Sequence, residues 1–118
     1  MDRKKFIDIV KSVVRDAAIN STVRILKNPP GRHPNAELIE KSNWFNSLSD
    51  QDRIMVEKIV AGVAHHTVFG MLAVIDGARV IDEAQEKGDL ELYYVKGDRK
   101  VRLNPPESEP LHDIFNRV

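Results

Sequence analysis

Four histidines and 18 carboxylates are the side chains of this sequence most able to do chemistry. His65 and His66 stand side by side, His33 lies in a Pro- and Gly-containing stretch, and His112 follows Pro110-Leu111. A metal pair on one helix needs ligands three or four residues apart, on one face. At those offsets His65 has Ala61, Gly62, Val68 and Phe69, and His66 has Gly62, Val63, Phe69 and Gly70, none of which can ligate. Adjacent helical side chains point about 100° apart, so the two rings do not converge. His65 and Asp76 share a face, but eleven residues set them about 16.5 Å apart on a straight helix. The expectation is no metal and no cofactor, with His66 a core histidine holding one hydrogen bond.

Nucleophilic and phosphate chemistry find no better footing. The chain has no cysteine, which excludes thiol catalysis, thiolate zinc sites and disulfides together. No serine occupies a Gly-x-Ser-x-Gly elbow, and Gly62, Gly70 and Gly77 are spaced by helix turns instead of forming a phosphate cradle. Asp76, Arg79 and Glu83 have the spacing of an ion-pair ladder along one helix edge. Arg32 and His33, just before a helix start at Asn35, could meet an anion at the free N–H groups there, although a rigid turn is the preferred reading. The candidate ligand-binding residues are therefore His66, Asp76 and Arg79, with Arg32 and His33.

The elements that must position these groups are mostly helical. Periodicity predicts an amphipathic helix from Asp2 to Lys27, with Phe6, Val10, Val13, Val14, Ala17, Ser21 and Ile25 on one face. Asn28-Pro29-Pro30-Gly31 stops it. A second helix runs from about Asn35 to Asn46 and carries Leu38, Ile39 and the Trp44-Phe45 pair, the latter expected to plug one end of a bundle. Ser49 is the expected N-cap of a long helical segment, with Asp50 and Asp52 in its first turn. That segment extends to Lys87 with Gly88 as C-cap, kinked or split into two helices near Gly77.

The period then changes. Leu90 to Lys96 and Val101 to Leu103 alternate about Gly97-Asp98, a type II′ hairpin pairing Tyr94 with Val101 and Leu92 with Leu103. Pro110 opens a short closing helix with Leu111, Ile114, Phe115 and Val118. The expected fold is mainly α (α+β): a three- to four-helix bundle with a C-terminal β-hairpin and a short closing helix, as a single domain over 1–118.

Met55, Ile59, Gly62, His66, Gly70, Ala73, Gly77 and Ala84 wind into one stripe about 80° wide at 100° per residue. Small residues there admit a close neighbour. Packing against the first helix of the same chain is the preferred reading, and a twofold interface with a second chain is the alternative. The interface candidates are Gly62, His66, Gly70, Ala73 and Gly77, with Tyr93 on the hairpin.

Net charge is zero, which disfavours nucleic acid. Residues 1–59 hold 11 Lys/Arg against 8 Asp/Glu, a net +3, and residues 60–118 hold 7 against 10, a net −3. No secretory segment is evident, and the longest apolar run, Val68–Ile75, is well short of the roughly 20 residues of a membrane span. The expectation is a soluble cytoplasmic protein with no membrane contact. Its leading function is a non-enzymatic interaction or regulatory domain, binding a protein partner or a second copy. The runner-up is a small enzyme or ligand-binding protein with a pocket near His66, Asp76 and Arg79.

Overall fold

The structure, a computed structural model, describes residues 1–117; Val118, expected on the closing helix, lies outside the described residues. A long rod opens the chain, made of α1 (Arg3–Ile9), a π-helical stretch (Val10–Asp16) and α2 (Ala17–Lys27). The backbone stays in the right-handed helical region at both junctions, so the rod is continuous. Ala17 N–H reaches back to Ser12 O, the wider i→i+5 turn of a π-helix. That widening rotates the faces relative to a 100° wheel. Phe6 and Val10 pack on the core as expected, whereas Val13, Val14 and Ala17 turn out to solvent.

α3 (Ala36–Ser47) starts at Asn35, whose Oδ1 accepts Glu37 N–H, and α2 packs along it. Phe45 is fully buried, but its neighbour Trp44 is more than half exposed, so the expected plug is Phe45 alone. Neighbours on a helix face different ways, and only one of the two can point inward.

α4 (Asp50–Ile75) begins as expected: Ser49 Oγ accepts Asp52 N–H, with Asp50 and Asp52 in the first turn. Its end differs from expectation. Gly77 adopts φ 77°, Gly77 N–H bonds to Val74 O, and Ala78 N–H bonds to Ala73 O. This pair of bonds is a Schellman cap, which glycine makes cheap because it lacks a Cβ. The helix does not resume, so residues 78–92 form an irregular connection, Gly88 caps nothing, and Ala84 lies off the stripe. By length and composition α4 could cross a membrane (mean hydropathy 1.5), and only 17% of its most apolar window is buried. The uninterrupted run Val68–Ile75 understates it, because scattered polar residues divide an apolar helix without making it polar.

β1 (Tyr93–Lys96) and β2 (Arg99–Arg102) pair antiparallel in the expected register, Tyr94 with Val101 and Val95 with Lys100. Gly97 sits at φ 58° and Asp98 has no positive φ, the combination of a type II′ turn. α5 (Leu111–Phe115) closes the chain, with Pro110 one position earlier than expected, at the N-cap. The fold is the anticipated helical bundle with a hairpin and closing helix. Its main core, Ile7, Leu72, Leu111 and Phe115, lies where α1, the C-terminal half of α4 and α5 meet. The molecule measures 51 × 36 × 30 Å.

Candidate functional site

Two regions gather the chemistry-bearing residues: the seat of α5, and the open face of α4. At the seat, Asp76 Oδ2 accepts both the backbone N–H of His112 at 2.8 Å and its Nδ1 at 2.6 Å. The Asp76 side chain is only 5% exposed, and the Phe69 ring meets the His112 imidazole edge-on at 5.4 Å. Pro110 offers no side-chain cap to α5, so a carboxylate from the end of α4 takes over one of its unsatisfied N–H groups.

The other end of α5 is held in parallel fashion. His65 stacks on Phe115 with ring centres 4.6 Å apart, and its Nε2 lies 2.9 Å from Asn116 Oδ1. Arg15 reaches His65 Nδ1 at 3.4 Å and stands over the Phe115 ring. A guanidinium can only donate, so Nδ1 accepts and Nε2 carries the proton given to Asn116. His65 and His112 thus serve as clamps on a five-residue helix that could not hold itself.

The hairpin is fastened through Asn104, which is buried. Its Nδ2 donates to Ile75 O and Leu90 O, and its Oδ1 accepts Leu92 N–H and lies 3.4 Å from Arg102 Nε. One amide therefore ties the last turn of α4 to the hairpin.

These contacts define what the seat can do chemically. An aspartate–histidine pair normally works by presenting the second ring nitrogen to a nucleophile. Here Nε2 of His112 faces Asp113 Oδ1 at 3.5 Å. Among the described residues no hydroxyl hydrogen-bonds to a histidine and no cluster of three metal-ligating side chains occurs. Glu37, on the outer surface of α3, is the group whose carboxyl is held below its ordinary range, by the hydrogen bond and charge of Lys41 one turn along.

The ligand-binding candidates are not brought together. His66 is exposed on α4, about 15 Å from Asp76 along the helix. Asp76 and Arg79 line separate depressions of about 180 and 230 Å³ that share Gly77, and His66 lines neither. The Asp76–Arg79–Glu83 ladder does not form, since the helix has ended: Asp76 turns to His112, and Arg79 folds back over Gly70. A Cβ at Gly70 would stand 2.7 Å from Arg79 Nη1. Arg32 and His33 are both exposed in the α2–α3 connection, where Asn35 already caps the helix.

The interface candidates fall in different surroundings. Gly70 and Ala73 are buried under the connection that follows α4, and Gly77 is the cap glycine. Tyr93 is half-buried beneath Lys100 Nζ, 4.2 Å from its ring centre. Gly62 has open space: an added Cβ there would meet nothing within 4 Å, so the first helix does not fill this part of the stripe. Around it, Met55, Ile59 and Val63 are 55%, 60% and 60% exposed, and His66 is exposed beside them. No local pattern signals Asn104, Asn116 or the Asp76–His112 pair, because apart from the long Arg102 contact of Asn104 their partners lie 12 to 51 residues away along the chain. Comparison with protein-family models, with curated proteins and with solved structures finds no match to this chain.

Proposed function

We propose that this chain is a non-enzymatic protein-interaction domain whose docking face is the N-terminal two thirds of α4, centred on Ile59 and Val63. The observation that carries this reading is a surplus of surface. The chain exposes 8755 Å², where a compact monomer of 13.4 kDa should expose about 6,500 Å². Its radius of gyration is 18.7 Å, against about 13.5 Å for a compact chain of this length. Part of the surplus is the apolar face Met55–Ile59–Val63, and contiguous exposed apolar surface marks a binding site. The histidines support the reading in a different way, because the two with the richest contacts are spent on holding α5.

Photo-cross-linking in the living cell tests it, with benzoylphenylalanine placed at Val63 and, as a control, at the equally exposed Val95 of the hairpin. A protein adduct at Val63 that is absent at Val95 is the expected result. Equal or no adducts at the two positions would overturn the proposal, as would adducts formed with lipid.

A further inference from the structure

We propose that the depression between α1 and the β-hairpin binds the phosphoryl group of a small soluble phosphomonoester, held by Lys5, Lys96 and Arg99. None of these residues lies on α4, so the site is separate from the docking face. Side chains on a strand alternate between its two faces. With Tyr94 opposite Val101 and Lys96 opposite Arg99, these four side chains share one face of the hairpin. Met1 and Lys5 complete the wall around a space of about 210 Å³. That is below the roughly 300–1,000 Å³ of sites for drug-sized ligands, so the occupant is small.

The charge in this depression is uncompensated. Lys96 and Arg99 stand directly across the ladder from each other, and like charges so placed destabilise a sheet. Lys5 brings a third cation to the same space, and among the described residues no acid lines it. None of the three cations forms an ion pair among the described residues. Asp2 Oδ1 accepts the backbone N–H of Lys5 at 2.7 Å, so that carboxylate serves as a helix cap instead. The opposite face of the hairpin gives the contrast. There Arg102 lies 3.3 Å from Glu91, and Lys100 Nζ lies 4.2 Å from the centre of the Tyr93 ring. The protein itself matches the cations of that face and leaves those of this one facing a cavity.

Three positive charges favour a dianion over a single carboxylate. A phosphomonoester carries about −1.5 to −2 charges at neutral pH and three strong acceptor oxygens. The Arg99 guanidinium can take two of those oxygens with its planar fork, while the lysines act as point charges. Tyr94 and Val101 offer an apolar wall to the carbon that bears the phosphate.

Amide NMR of the labelled chain, titrated with inorganic phosphate at constant ionic strength, tests the site. Shifts that saturate and centre on residues 94–101 and Lys5 are the expected result, with acetate leaving the same amides in place. Arg99→Gln should weaken phosphate binding about tenfold or more, whereas Lys100→Gln on the opposite face keeps the wild-type affinity. Shifts that never saturate, an equal response to acetate, or an equal loss in the two variants would overturn the site. Sedimentation with vesicles of phosphatidylcholine and phosphatidic acid separates the sources of the group. The chain should stay in the supernatant. Vesicle binding that Arg99→Gln abolishes would make the ligand a membrane headgroup and overturn the soluble phosphomonoester.

Discussion

Asp76 and His112, 36 residues apart, are joined twice through one oxygen: Asp76 Oδ2 accepts the backbone N–H and the ring Nδ1 of His112. The carboxylate sits on the C-cap of α4 and acts as the N-cap that α5 lacks. Substituting Asp76→Ala leaves two donors without a partner in a mostly buried place. The expected loss is about 1–3 kcal/mol, seen as a lower urea midpoint with unchanged slope. The fluorescence of Trp44, remote on α3, should follow the same single transition.

Asn104→Ala removes an amide that serves Ile75 O, Leu90 O and Leu92 N–H together. Leaving buried backbone groups unpaired costs about 1–3 kcal/mol. Amide hydrogen exchange should show protection lost first in β1 and β2, while the α2–α3 pair keeps its own.

Trp44 and Phe45 separate two roles carried by adjacent residues. Phe45→Ala empties a fully buried site and should cost about 3–5 kcal/mol. Trp44→Ala, on the exposed face of α3, should stay within about 0.5 kcal/mol. Thermal melts of the two variants check the contrast.

Glycines 62 and 77 should respond in opposite senses. Gly77→Ala forces an L side chain into the left-handed region at φ 77° and should cost about 1–2 kcal/mol. Gly62→Ala improves helix propensity by about 1 kcal/mol and would stabilise an isolated chain whose Gly62 faces open space. Gly62→Ala should therefore raise the urea midpoint and Gly77→Ala lower it, and denaturation curves of the two variants reveal both effects.

Local signals account for most of the fold. Ser49 with Asp50 and Asp52 announces the start of α4, and Gly97-Asp98 sets the hairpin register residue for residue. The end of α4 is not legible in the same way, because helical periodicity continues past Gly77 on paper while the structure spends that glycine on a Schellman cap. The face of the first helix slips because a π-helical stretch replaces the 100° period assumed for it. The seat of α5 is hidden for a different reason. Its bonds join residues 36 to 51 apart, and no local spacing rule reaches across such distances. Met55, Ile59, Gly62 and His66 are legible as a stripe, but only the surroundings of Gly62 distinguish a filled groove from an open one.

Photo-cross-linking in the cell, with benzoylphenylalanine at Val63 or at the equally exposed Val95, tests the central claim most directly. A docking face on α4 predicts a protein adduct at Val63 that is absent at Val95. Equal adducts at the two positions, or none at either, would contradict it.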